Sequence, residues 1–493
     1  MPTQLNPFES VSGSSKLGTP KYVIFLLSIT VISGLLIGKA GLLAGIGLVI
    51  LPFILIYFNY FFRYPEIGLY TAVSLGFIIL GAGRYIKGLQ LGMAMDAILF
   101  LTYIVLIFNR FKDRVDWKPA KKDITVLATI WFAYSIIEVA NPESRIVAAW
   151  LAGMRGISLY MFLMIPLTLL FFNTSRKVDT FINLWCVFSL LATFKGILQN
   201  TIGVDPYEKA WLDAGGAVTH ILFGKLRIFS FYSDAGQFGA NQGYTAVVTI
   251  IMSMVEKNKR RKIFLLIVGI LGIYGMLLSG TRGSISVPLA GFALYFVLKK
   301  NKAVMGSGFF ALIAVFIFFK YTTIGQDNQQ IRRMRSAFDP NDASLQVRLE
   351  NQKKLKVYLA TRPLGGGIGH AGVKAQKYLP NAFLSNVATD SWYVLIWAEQ
   401  GIIGLSLHLF ILFYVLIKSS YLVMFRIRDP IVKMKMAALT SGMAGIMVAS
   451  YGNAVLGTMP TGMLIYVSMA LMLNAEVLDA EAIANQKQEP NSI

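Results

Sequence analysis

The chain has 493 residues, 55% of them hydrophobic and only 14% charged, well under the roughly 25% charge of soluble domains, so a soluble enzyme of ordinary build is excluded. Forty-six Lys and Arg against 25 Asp and Glu leave a formal charge of +21, an excess that suits anionic lipid or an anionic substrate. Nucleic acid is disfavoured, because a mean hydropathy of +0.60 requires the basic residues to sit between long apolar runs. The single cysteine, Cys186, lies inside one such run and rules out a disulfide framework or a multi-cysteine metal site.

A helix crosses roughly 30 Å of hydrocarbon in about 20 residues. Apolar runs near that length recur at 22–38, 41–61, 66–82, 92–108, 124–139, 157–173, 180–200, 238–255, 263–279, 284–298, 303–319, 391–417, 436–451 and 457–473. The fold expected is an all-α polytopic membrane helix bundle of about 12–14 transmembrane helices. Its order is a polar tail at 1–21, an N-terminal bundle over 22–200, a loop at 201–237, helices over 238–319, a long loop at 320–389, C-terminal helices over 390–473 and a tail at 474–493 that lacks a sustained apolar face.

Five basic clusters set the orientation: Arg110 to Lys122, Arg176 and Lys177, Lys257 to Lys262, Lys299 to Lys302, and Lys418 to Lys435. With these passes all five fall on one side, which the positive-inside rule makes cytoplasmic, together with both termini. The two long loops then share the opposite face. The second is basic and contains Ser344 to Leu359, whose apolar residues at 345, 349, 355, 358 and 359 predict an interfacial amphipathic helix. Pro363 and the run Gly365-Gly-Gly-Ile-Gly369 end that helix and open a turn.

Candidate chemistry collects on that outer face. Ser279-Gly-Thr-Arg282-Gly-Ser-Ile-Ser286 joins two apolar runs, and an arginine at the membrane surface is costly unless it has a partner or a task. Leu226-Arg227-Ile-Phe-Ser-Phe-Tyr-Ser233 places a second arginine before the next pass, and Arg348 lies within the loop helix. Arginine suits phosphate because its planar fork donates paired hydrogen bonds and keeps its charge. Asp390, at the mouth of a pass, fits either a proton acceptor or a helix N-cap. Nine residues at 100° each set Glu399 on the opposite side of the same predicted helix, so the two carboxylates are not expected to act as a pair. His220 and His370 are loop residues, and His408 lies deep in an apolar run. No nucleotide-binding glycine loop, no His-Glu-x-x-His and no metal-spaced cluster occurs, which disfavours ATP and bound metal.

Taken in order, Arg227-Ile-Phe-Ser-Phe-Tyr-Ser, Ser279-Gly-Thr-Arg282-Gly, the stretch from Ser344 and Arg348 to Arg362-Pro-Leu-Gly-Gly-Gly-Ile-Gly369, and Ala388-Thr-Asp390-Ser-Trp-Tyr-Val-Leu-Ile-Trp-Ala-Glu399-Gln-Gly401 resemble the O-antigen ligase and polymerase family of bacterial inner-membrane proteins. The resemblance covers about 227–404, and the first half is similar only in hydropathy. It implies a membrane-embedded glycosyltransferase that moves a glycan from an undecaprenyl-diphosphate carrier to a sugar hydroxyl on a glycan or lipid A-core acceptor, at the periplasmic face, with no cofactor or metal. By the family match Arg282, Arg227 and Arg348 bind the diphosphate, and Arg282 and Asp390 are catalytic. Family members acting as ligases typically carry His-Asn where this chain has Asp390-Ser391, so ligase and polymerase both remain open. The competing class is a lipid-linked oligosaccharide flippase or secondary transporter. It is disfavoured because no internal repeat is seen and the charge concentrates in one loop.

Overall fold

The computed structural model describes residues 20–86, 92–112, 115–222, 224–327, 329–336, 339 and 341–488. Residues 1–19 of the N-terminal tail, Arg114 of the first basic cluster and 489–493 of the C-terminal tail lie outside them. The chain divides into two compact units, Met1–Ile67 and Gly68–Ile493. In the first, α1 (Pro20–Arg63) is broken at Gly41, whose φ of 66° interrupts the helical backbone. Two expected apolar runs are therefore the halves of one broken helix.

The second unit continues with α2 (Glu66–Ala82, begun at the unit boundary), α3 (Gly92–Lys112), α4 (Asp123–Ile137), α5 (Val147–Met154) and α6 (Tyr160–Phe171). A π-helical turn, Arg155–Leu159, joins the last two. Then come α7 (Ser175–Thr201), α8 (Ala235–Ser253), α9 (Lys259–Leu278), α10 (Ser286–Leu298) and α11 (Lys302–Tyr321). After the loop helix α12 (Ala343–Leu359) follow α13 (Trp392–Tyr421), α14 (Pro430–Gly452), α15 (Thr461–Leu473) and α16 (Ala475–Gln488). The β-structure among the described residues is one two-residue ladder pairing Ile221–Leu222 with Lys225–Leu226. The chain is an all-α polytopic membrane protein.

Among the described residues eight helices are long and apolar enough to cross a membrane, nine if the pair α15 and α16, bent by 62°, is counted as one. Four further apolar helices are shorter, 10–17 residues. The run at 238–255 forms α8, which belongs to neither group, because it is not lipid-like in composition. Its Asn241, Gln242, Thr245 and Thr249 are buried, and it packs on α9, α10 and α14 in the middle of the unit. Each of the larger polar groups is answered. Asn241 accepts from Tyr232 Oη at 2.8 Å and donates to Thr461 Oγ1 at 3.1 Å, Gln242 accepts from Ser189 Oγ at 2.9 Å, and Thr245 accepts from Trp185 Nε1 at 2.9 Å. Such pairing is what lets a polar helix occupy a membrane bundle.

The C-terminal segment is also more ordered than its composition suggests. α16 buries Leu478, and the Asp479 carboxylate accepts the backbone N–H groups of Arg428 at 3.0 Å and Asp429 at 2.7 Å, so this stretch docks as a helix and is not a frayed tail. The basic ends of the helices are knitted by two aspartates. Asp179 pairs with Arg261 at 2.7 Å and Lys435 at 2.6 Å, and Asp123 pairs with Lys418.

Candidate functional site

The first support of the site is Arg84, a buried guanidinium just past α2. It donates to the Ser230 carbonyl at 2.8 Å and to the Tyr232 carbonyl, and lies over the rings of Phe229 at 4.3 Å and Trp211 at 4.6 Å. Burial pushes it down to about 10, still fully charged at neutral pH. Arg84 thereby fixes the segment that carries Arg227. The Arg227 guanidinium donates to the Thr219 carbonyl at 3.2 Å and to Thr281 Oγ1 at 3.0 Å, while its buried Nε has no partner among the described residues.

Arg282 opens a 3₁₀ turn, Arg282–Ile285, that runs into α10. Its fork is fully engaged. Nη1 pairs with Asp342 and donates to Ser336 Oγ at 3.1 Å, and Nη2 donates to Ser344 Oγ at 2.7 Å. Asp342 is at the same time the N-cap of α12, accepting the Ser344 and Leu345 N–H groups at 3.1 Å each. Burial opposes ionisation of Asp342, but the hydrogen bonds from Arg282 and Ser344 outweigh it and hold the carboxyl below its usual range. One and a half turns on, Arg348 Nε reaches Asp390 Oδ2 at 3.2 Å.

Asp390 is not the cap of α13. That role falls to Ser391, whose hydroxyl accepts from Val394 N at 3.5 Å, leaving the Asp390 carboxylate facing solvent and Arg348. Because the helix starts only at Trp392, the helical-wheel separation of Asp390 from Glu399 does not apply. Both line one cavity of about 350 Å³, with Trp392 and Tyr378 in its wall.

The glycine run has its own structural cause. Gly401 breaks α13 with a φ of 64°, and the carbonyls of Ala398 and Glu399 accept instead from Gly366 N and Gly367 N, each at 2.9 Å. A Cβ on Gly365 would lie 2.6 Å from the Glu399 backbone carbon, so close backbone approach fixes glycine there. The run is thus a plug for a helix break.

Arg227, Arg282, Arg348 and Asp390 all line one cavity of about 500 Å³. Arg333 and Lys374 complete five cations there, against the carboxylates of Asp234 and Asp390. Burial lowers Arg227, and the like charges of Arg282 and Arg348 lower it further against the opposing pull of Asp234. Arg333 is pushed down to about 10 by burial and then by Arg227 and Arg282. Four helix starts also face this space: Gln237 of α8, Gly283 before α10, Ser344 of α12 and Asp390 ahead of α13. Their dipoles add positive potential. The arrangement gathers positive charge around one cavity, with one exposed carboxylate, Asp390, at its edge.

Three contributors escaped the sequence. Arg333 and Lys374 were visible only as members of a basic loop, with nothing to set them apart. Asn453, which ends α14, lines the cavity and has a buried Nδ2 with no partner among the described residues. The histidines stand elsewhere: the ring of His370 accepts from Ile146 N at 3.3 Å, His220 Nδ1 lies 2.9 Å from the Gly216 carbonyl, and His408 accepts from Trp392 Nε1 at 2.9 Å.

No curated protein matches the chain at a significant level. Residues 267–409 match the family model described as O-antigen ligase, a stretch that holds Arg282, Arg333, Arg348, Lys374 and Asp390, while Arg227 precedes it. Over that segment, 143 of the 493 residues, the chain is similar to the O-antigen ligase family.

Proposed function

We propose that the protein transfers a glycan from an undecaprenyl-diphosphate carrier to a sugar hydroxyl, on a second glycan or on lipid A-core, without metal or nucleotide. The observation that carries the reading is the convergence of five cations on one cavity whose rim bears the Asp390 carboxylate. In the reaction the acceptor oxygen attacks the anomeric carbon and the bond from that carbon to the diphosphate oxygen breaks. The acceptor proton passes to Asp390, and the charge growing on the diphosphate is taken up by Arg282, Arg227 and Arg348. Fixed donors aimed at developing charge are worth most in a water-poor site, and guanidinium groups fill the role that a divalent cation plays in other diphosphate chemistry.

The ion pair of Arg348 and Asp390 fits this sequence. Its side chains are 34% and 52% exposed, so the pair is weak and open to exchange. A diphosphate that recruits Arg348 leaves Asp390 free to accept a proton. The gathering of the Asp179 and Asp123 ion pairs with the basic clusters supports a cytoplasmic face at that end, with both termini there and the cavity on the periplasmic face of the inner membrane.

The test is glycan transfer by the purified chain in EDTA, with a lipid-diphosphate glycan and a sugar acceptor. Product is expected, and Arg282→Ala should lower turnover by at least about a hundredfold. A requirement for Mg²⁺ or ATP, or full turnover by the Ala variant, overturns the mechanism. The acceptor found on the product separates ligase from polymerase.

A further inference from the structure

At the opposite end of α4 from the glycine run lies a second cavity, about 820 Å³, unconnected with the transfer site. One wall is α4, with Val126, Thr129 and Ile130, and the other is α6, with Phe162 and Pro166. Val126 and Ile130 are 57% and 46% exposed, an apolar face that in a membrane protein meets acyl chains. The floor is closed by Tyr103 and Trp117, stacked with ring centroids 6.5 Å apart and planes 11° apart, the amphipathic pairing favoured at the membrane boundary. Asp123–Ala140, 18 residues, separates this groove from the far end of the helix, roughly 27 Å at 1.5 Å per residue.

The mouth of the groove is basic, and its charges are not equally available. Lys122 is already held by Asn474 Oδ1 at 2.7 Å, and Asp123 is engaged by Lys418 and Tyr414. Lys121, which lines the groove, and Lys118, which stands just outside the lining with its carbonyl accepting the Lys121 N–H at 3.0 Å, are exposed and have no acidic partner among the described residues. Asp116, the remaining carboxylate of this segment, accepts the Lys118 backbone N–H at 2.9 Å. No side chain caps α4 at Lys122, where the Thr125 and Val126 N–H groups turn back to the Lys122 carbonyl at 2.9 and 3.2 Å. In the groove wall the Thr125 hydroxyl is buried with no hydrogen-bond partner among the described residues.

We propose that this groove binds one anionic phospholipid, its phosphate held by Lys118 and Lys121 at the uncapped start of α4 and an acyl chain lying along Val126, Ile130 and Phe162. The charge at the mouth selects an anion, and the apolar length behind it selects a lipid over a free phosphate. The proposal does not rest on the transfer reaction.

The full chain in detergent is titrated with dioleoyl phosphatidylglycerol, dioleoyl phosphatidylcholine or glycerol 3-phosphate, and bound lipid is counted by native mass spectrometry. Phosphatidylglycerol should bind in preference to phosphatidylcholine. A surface lysine is worth about fivefold in binding an anionic lipid, so the double variant Lys118→Ala, Lys121→Ala should weaken phosphatidylglycerol about twenty-five-fold. Thr129→Trp, which fills the groove from an exposed position, should weaken the lipid severalfold, with Val126→Trp as the alternative filler if the first fails to fold. Equal binding of the two lipids, or an unchanged affinity in the double variant, overturns the site. If the groove fillers have no effect while glycerol 3-phosphate displaces the lipid, the pocket reads phosphate alone and the lipid proposal fails.

Discussion

Two arginines of the same cavity are held in opposite ways. Arg227 is gripped by neutral oxygens, the Thr219 carbonyl and the Thr281 hydroxyl, with its segment clamped by Arg84, and with Asp234 acting on it only across the cavity. Arg282 is answered in direct contact by a carboxylate, Asp342, which also starts the loop helix α12. Arg227 therefore presents standing positive charge, whereas Arg282 keeps its charge in a latch, the ion pair with Asp342, for which an anion would compete. Burying an arginine without a carboxylate in contact is expensive. The latch in turn ties the order of the loop to the state of the cavity.

The sharpest way to break this comparison is to remove each arginine and read two signals, turnover and protease sensitivity of residues 322–391. Both Arg282→Ala and Arg227→Ala should lower turnover by about 10²–10³, the scale of one lost oxyanion donor. Only Arg282→Ala should also expose the loop, because Ser336, Asp342 and Ser344 lose their shared partner together. Equal loop exposure in both variants would show that Asp342 is no latch. Arg282→Lys keeps charge but not the fork, and should leave the loop partly exposed.

Asp390 sharpens the contrast from the other side of the cavity. Asp390→Asn is expected to lower turnover by about 10²–10⁴, the usual share of a proton acceptor, with an unchanged melting temperature. Ser391→Ala should do the reverse, destabilising the start of α13 by about 1 kcal/mol with turnover intact. If Asp390→Asn instead melts the protein and leaves the rate untouched, the carboxylate is a structural group.

The sequence carried the parts of this site that physical cost makes conspicuous. Arg282 stood out because a charge between two apolar runs is rarely idle, and α12 was visible in the spacing of Leu345, Leu349, Leu355 and Leu359. Asp390 was visible with two readings open, proton acceptor or N-cap, since the choice between Asp390 and Ser391 as cap depends on where the chain turns; the cap is Ser391. The wheel relating Asp390 to Glu399 assumed a helix already formed at Asp390, whereas it begins two residues later, at Trp392. Asn453 and Arg333 were out of reach, as their meaning comes from neighbours hundreds of residues away or across the loop. The glycine run at 365–369 read correctly as a turn, but its purpose needs the break at Gly401, a tertiary partner no local pattern announces. The fold class was legible for the opposite reason: hydropathy is additive along the chain, while the polar helix α8 escapes it by burying hydrogen-bonded amides.

The smallest expected effect tests the latch without touching the arginines. Asp342 is held below its usual carboxylate range in the folded loop, so its contribution to docking is present above the ordinary aspartate pKa of about 3.9 and is lost as pH falls through the lowered folded value. Cleavage of residues 322–391 by an acid-active protease should therefore rise as pH falls from about 5 toward 3, while the rest of the chain stays resistant. Asp342→Asn cannot form the ion pair at any pH, though its amide oxygen still caps α12. In that variant the loop should be cleaved faster at pH 5 and show a flatter acid dependence. A wild-type loop that is equally resistant at both pH values would mean that the hydroxyls of Ser336 and Ser344, not the carboxylate, hold Arg282 in place, and the distinction between Arg227 and Arg282 would reduce to one of geometry.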